Sequence, residues 1–159
     1  KGLMPPQTVG GMFAGLKEPE DSDDPAQRVY SKAKFMGTHC QGQTEVDVNG
    51  IGPTIRAEHH GNIEYRRLSK EHGGIIDKEL KKGLKERRLT PRECALIQTF
   101  PLDYEFVIPH EENKQRYILS PSAAYKIIGN AVPPLLAYHI GKRIENLWDL
   151  YFEPDEVII

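Results

Sequence analysis

The clearest pattern in the chain lies near its end, where Leu136, Ile140, Ile144, Leu147 and Tyr151 recur every three or four residues. That spacing puts them on one face of a helix running from Pro133-Pro134 to about Tyr151, a face that must pack on something. Just upstream, Ser120-Pro121 combines a capping hydroxyl with proline at the first helical position. It predicts a short helix to about Ile128, ended by Gly129-Asn130, where glycine permits a turn with positive φ. Thr90-Pro91-Arg92-Glu93 reads as a capping box, with Thr90 as N-cap and Glu93 reaching back. The helix it opens continues through Gln98 and stops before Phe100-Pro101.

The first half is less periodic. Residues 1–25, rich in Gly, Pro and acid, predict a loop or flexible arm. Asp24-Pro25 is a candidate helix start, with 26–36 continuing it. Repeated glycines over 37–62 break the chain into short β-prone pieces at 45–48 and 54–56, and 63–68 reads as a further strand. Strands first and helices afterwards predict an α+β fold: a small strand-containing domain over 26–118, including the capped helix 91–98, then C-terminal helices over 119–159.

Composition narrows the class. No run approaches the roughly 18 apolar residues of a membrane helix, and 1–15 lacks the apolar core of a secretory signal. Two cysteines cannot staple a scaffold and fit a reducing cytoplasm. The formal net charge is −2, unlike the basic excess usual in nucleic-acid binders, so its distribution matters more. Acid gathers in 18–24 and at Asp149, Glu153, Asp155 and Glu156. Base gathers between Arg56 and Arg92, with Arg66, Arg67, Lys78, Lys81, Lys82, Lys85, Arg87 and Arg88. That stretch is either a seat for a polyanion or a solvated charged face.

The segment Arg87-Arg88-Leu89-Thr90-Pro91-Arg92-Glu93-Cys94-Ala95-Leu96-Ile97-Gln98-Thr99-Phe100-Pro101 resembles the penultimate motif of the DNA cytosine-5 methyltransferases, Arg-x-Leu-Thr-x-Arg-Glu-x-Ala-x-x-Gln-x-Phe-Pro. About thirty residues later, Gly129-Asn130-Ala131-Val132-Pro133-Pro134 resembles their last motif. Order and spacing together are far more specific than either alone. Pro53-Thr54-Ile55 is loosely similar to the end of the family's target-recognition region. The resemblance implies that the final helices complete a Rossmann-like, S-adenosylmethionine-dependent domain. It implies cofactor contacts at Asn130 and Ala131, beside a helix N-terminus that favours an anionic group. Thr54 would touch the DNA backbone beside a flipped cytosine, with Arg56 and Arg66 meeting phosphates or guanines of double-stranded DNA. The polar run Glu58-His59-His60-Gly61-Asn62 offers further donors. Glu93 as cap and Arg92 as a buried or interfacial salt-bridge donor are structural in this reading.

The chemistry itself is missing. Methylation at C5 needs a thiolate to attack C6 of an extruded cytosine. The family carries it in Pro-Cys-Gln, with a downstream Glu-Asn-Val and a Gly-rich cofactor loop near the chain start, and none of these is present. His39-Cys40-Gln41 imitates the motif but has His39 in place of proline and lies too near the capping box. Cys94 reads as a small buried residue. A zinc site drawn from His39, Cys40, His59 and His60 matches no common spacing, so no metal is expected. The Gly-rich 10–15 lacks the strand and helix that a phosphate loop requires. Three readings remain open: a C-terminal piece of a bacterial restriction-modification methyltransferase, the recognition subunit of a split one, or a non-catalytic DNA-binding or interaction module. In each, the apolar face of helix 134–151 awaits the rest of the enzyme, a partner chain or another copy.

Overall fold

The computed structural model of the chain describes residues 6–57, 63–113 and 115–152. Its elements, in order, are α1 (Val9–Met12), β1 (Tyr65–Arg67), a 3-10 turn (Lys70–His72), α2 (Asp77–Lys81) and β2 (Arg87–Arg88). Then come α3 (Pro91–Ile97), β3 (Ile108–Pro109), β4 (Tyr117–Leu119), α4 (Pro121–Asn130), α5 (Pro134–Asn146) and α6 (Trp148–Phe152). Two short antiparallel ladders accompany the helices, β1 with β2 and β3 with β4, so the chain is α+β.

The core forms around α3. Pro91 to Ala95 are all buried, and Cys94 and Ala95 are small enough for α4 to approach through Ala124, Tyr125 and Ile128. Tyr125, buried among them, satisfies its hydroxyl by donating to the Leu89 carbonyl at 2.6 Å. Val9 and Phe13 from α1, together with Ile55, Phe106 and Val107, complete one apolar cluster. The cluster therefore joins residues from both sides of the 118/119 boundary drawn from sequence.

Several elements differ from expectation for identifiable reasons. Residues 6–25 are not a plain arm, because α1 inserts Val9 and Phe13 into the core and its Val9 and Gly10 amides bond the Gly50 and Val48 carbonyls. The helix expected over 26–36 is a single turn: the Gln27 and Arg28 amides both reach the Asp24 carbonyl, and the chain then runs without regular structure. Tertiary bonds override it, since Asp24, Ala26 and Gln27 are all taken by α3. The expected strand 45–48 reduces to a bridge from Glu45 to Tyr65, 54–56 pairs with no described residue in a ladder, and 63–68 shortens to β1.

The C-terminal helix is divided at Leu147 into α5 and α6. Leu136, Ile140, Ile144 and Tyr151 are all exposed, so the stripe read from the sequence lies on the surface of the described residues. Gly129 also departs from the reading given it. It lies inside α4 and has no positive φ. Its lack of a side chain serves contact instead: a Cβ there would stand 2.4 Å from the Ala57 nitrogen and the Arg56 carbonyl carbon. Glycine lets α4 press directly on the backbone of 56–57.

Candidate functional site

Both sequence motifs converge on one place, the end of α3 against the α4–α5 junction. The start of α3 is fixed by a complete capping box, with Thr90 Oγ1 accepting from the Glu93 amide at 3.0 Å and Glu93 Oε2 accepting from the Thr90 amide at 3.0 Å. The Thr90 hydroxyl in turn donates to Gln27 Oε1 at 2.6 Å. Arg92 holds Asp24 through Nε at 2.5 Å and donates to the Tyr104 carbonyl at 2.8 Å. These bonds tie α3 to the 24–27 turn and to the segment after Pro101 before any function enters.

Glu93 also receives a two-pronged bond from Arg87, at 2.9 Å on each oxygen. Arg87 extends to Glu18 Oε2 at 3.0 Å, Glu18 Oε1 binds Arg67 at 2.6 Å, and Arg67 continues to Glu79 at 2.7 Å and to the Lys85 carbonyl. Burial alone would raise the Glu18 carboxyl, but Arg87 and Arg67 outweigh it and hold the group below its ordinary range. For Arg87 burial works toward losing the proton, and Glu93 and Glu18 reverse that. Fork-shaped pairing of this kind keeps buried guanidiniums charged.

This network changes the meaning of the basic stretch. Arg67, Arg87 and Arg88 are buried, and Arg92 is too, so these arginines are turned inward, and Glu18 and Asp24 pair with Arg67, Arg87 and Arg92 from across the chain. Arg66, expected at DNA, points its guanidinium to Glu79 at 3.4 Å and Glu93 at 3.5 Å, with only 12 % of its side chain exposed. The surface keeps lysines: Lys78, Lys81, Lys82 and Lys85 are exposed around α2. Arg56 is partly buried and 3.4 Å from Glu64. Thr54 is exposed. The polar run 58–62, with His59 and His60, lies outside the described residues, as do Glu153, Asp155 and Glu156.

At the other end of α3, Gln98 donates to the Ile128 carbonyl at 3.0 Å and lies 3.5 Å from that of Ala131. Thr99 Oγ1 accepts from the Leu135 amide at 3.1 Å. Consecutive residues thus hold both ends of the turn that carries Asn130 and Ala131. Asn130 is exposed at the last position of α4, and Ala131, its C-cap, is partly buried. Beside the junction an open cleft of about 530 Å³ runs between Thr54, Ile97, Gln98, Thr99 and Leu135. The two motifs and the Thr54 segment therefore share one face.

The sequence reading did not assign roles to Gln98 or Thr99. Gln98 had a signal, since it stands at a fixed position of the motif. Thr99 had none, because its φ of 65° is visible only in the fold.

A family model described as C-5 cytosine-specific DNA methylase matches residues 18–146. The chain belongs to that family. Within it, 69 residues are 41 % identical to the Type II methyltransferase M.AquIB of Picosynechococcus sp., covering 43 % of this chain and 50 % of that one. Over 99 residues it is 34 % identical to the Type II methyltransferase M.HgiDI of Herpetosiphon aurantiacus, covering 62 % of this chain and 26 % of that one. A likeness of 41 % over 64 residues extends to DNA (cytosine-5)-methyltransferase 1A of Oryza sativa subsp. japonica, covering 40 % of this chain and 4 % of that one. The chain thus spans half or less of the length of these three relatives.

Membership implies S-adenosylmethionine, and the residues present fit one edge of such a ligand. Asn130 is exposed, its carboxamide can donate and accept, and the neighbouring cleft is lined by apolar and uncharged polar residues. Among the described residues no acidic side chain lines that cleft to take ribose hydroxyls, so the fit is to a wall and not to a whole pocket. Among the described residues no three His, Cys, Asp or Glu side chains gather as a metal ion would need. No described helix is long and apolar enough to cross a membrane.

Proposed function

We propose that this chain is the C-terminal portion of a DNA cytosine-5 methyltransferase of a bacterial restriction-modification system, supplying part of the DNA-target face and one wall of the cofactor pocket. The observation that carries the proposal is the clamp at the end of α3, where Gln98 and Thr99 hold the 128–135 turn and Gly129 presses the Arg56–Ala57 backbone close by. Residues assigned by resemblance to the cofactor and to DNA are thereby neighbours, as a methyl transfer between those two ligands requires.

S-adenosylmethionine would supply the methyl group and its leaving thioether. Asn130 would bind and orient the cofactor through its carboxamide, and the Ala131 backbone would close the edge beside it. Thr54, exposed and short, would donate to a DNA phosphate, and Arg56 would contribute charge at the same strand. Arg66, drawn toward Glu79 and Glu93 at 3.4 and 3.5 Å, would have to turn outward from them to meet a phosphate or guanine beside these two. The α4–α6 helices would complete a Rossmann-like domain, with double-stranded DNA as substrate and the bacterial cytoplasm as the setting. Both cysteines are free, which suits a reducing compartment.

Neither cysteine suits the nucleophile. Cys94 is wholly buried, and burial first, then Glu93 and Glu64, push its thiol well above the ordinary range. Cys40 stands in a turn with its thiol toward the Met36 carbonyl at 3.7 Å. The thiolate is then supplied by a Pro-Cys-Gln segment outside these 159 residues, in the same chain or another. A methylation assay with and without a polypeptide carrying that segment tests the proposal. Activity restored in the mixture is the expected result. Activity of this chain alone refutes it, and a mixture without activity that still binds DNA favours the non-catalytic module. In the complete enzyme Asn130→Ala should weaken cofactor binding more than DNA binding, and the reverse order would remove Asn130 from the cofactor.

A further inference from the structure

Thr99 is the one described residue other than glycine with positive φ, at 65°. For a β-branched side chain this is a real outlier, and such strain persists only where the surroundings impose it. The local geometry explains the position. The Phe100 amide bonds the Ala95 carbonyl and the Thr99 amide bonds that of Leu96, both at 2.9 Å, which is the Schellman ending of a helix. Glycine normally fills the left-handed site of that ending, and here threonine does.

The other half of the observation lies on α5. A helix begins with four amides that lack internal partners. At α5 the N-cap is Pro133 and the first helical residue is Pro134, so two of those amides do not exist and the N-cap has no side-chain oxygen. Of the remaining two, the Leu135 amide goes to Thr99 Oγ1 at 3.1 Å. Beyond this bond α5 has little to hold it, since it packs on α6 and none of its residues is buried.

We infer that Thr99 is a positioning residue: it ends α3 and at the same time caps α5 from outside, fixing the direction in which the last helices leave the body. The strained threonine is kept in place of glycine because only a side chain with an acceptor oxygen can serve both helices. With Gln98 holding Ile128, this sets the 128–135 turn at both ends. Its consequence for the cofactor rests on the function proposed above, whereas the capping itself does not.

The test uses the full chain, with amide hydrogen exchange read at Leu135 and across α3 by NMR. Thr99→Gly relaxes the backbone and removes the acceptor, so folding is retained. Exchange at Leu135 should rise about fivefold, the size expected for a lost helix cap, while α3 stays protected. Thr99→Ser retains the oxygen and should restore slow exchange. Unchanged exchange in Thr99→Gly, or a serine variant that behaves like the glycine one, overturns the inference. In the assembled enzyme Thr99→Gly should raise KM for S-adenosylmethionine more than it lowers kcat. Faster exchange at Leu135 with an unmoved KM would confirm the cap and sink the cofactor-wall reading instead.

Discussion

Replacing Gly129 by alanine should destabilise the protein, although the same change in an ordinary helix stabilises it. Gly129 is inside α4, where alanine gains about 1 kcal/mol of helix propensity. Against this, its Cβ would lie 2.4 Å from the Ala57 nitrogen and the Arg56 carbonyl carbon and 2.6 Å from the Arg56 oxygen. That is about 1 Å inside van der Waals contact, and the atoms met are backbone, which cannot rotate aside. Overpacking of this kind costs about 1–3 kcal/mol; because backbone atoms are met, the upper part of that range applies, leaving a net loss of up to about 2 kcal/mol and a Tm lower by up to about 8 °C. Thermal unfolding followed by circular dichroism measures it. Gly141→Ala is the control: nothing lies within 4 Å of a Cβ there, and no residue of α5 is buried, so helicity should rise with the midpoint unmoved. Gly129→Asn separates the two explanations of the glycine. A positive-φ turn would tolerate asparagine, whereas close contact makes it worse than alanine. A Gly129→Ala protein as stable as the unmodified one would refute the argument from contact.

Glu18→Gln should cost about 3 kcal/mol in urea unfolding, at the low end for breaking a buried pair, because Arg67 and Arg87 keep Glu79 and Glu93; an unchanged midpoint would show the network to be dispensable. Glu18 and Glu86 are both held below the ordinary carboxylate range, Glu18 by Arg87 and Arg67 against burial, Glu86 by Ser69 and His72 against burial. The unfolded chain therefore takes up protons first. The stability these groups contribute is complete above about pH 4.3 and is lost as pH falls through their folded values. The urea midpoint should drop on acidification below pH ~4, with Glu18→Gln flattening that drop, and a midpoint that rises on acidification would contradict the sign. A thiol reagent should label Cys40 in the native protein and Cys94 only after unfolding, and rapid labelling of both would mean that the core around α3 is open.

How much of this was legible in advance depends on the range of the interactions. The capping box of α3, the starts of α4 and α5 and the apolar stripe of α5 are local patterns, written within a few residues of one another, and the sequence carried them almost to the residue. The family, too, was readable, because its motifs are short strings with fixed spacing. Local signals failed where distant partners outbid them. The helix at 26–36 gave way because Asp24 and Gln27 bond residues 68 and 63 positions away in α3. The basic stretch turned inward because Glu18 meets Arg87 across 69 positions, and no composition window reports which charges will find each other. Gly129 was assigned a turn because glycine's two uses, freedom of φ and absence of a side chain, look identical in a sequence. Only the approach of residues 56 and 57 separates them. Thr99 is the extreme case, since its conformation depends on two helices ending and starting at the same point, a coincidence that exists only once the chain has folded.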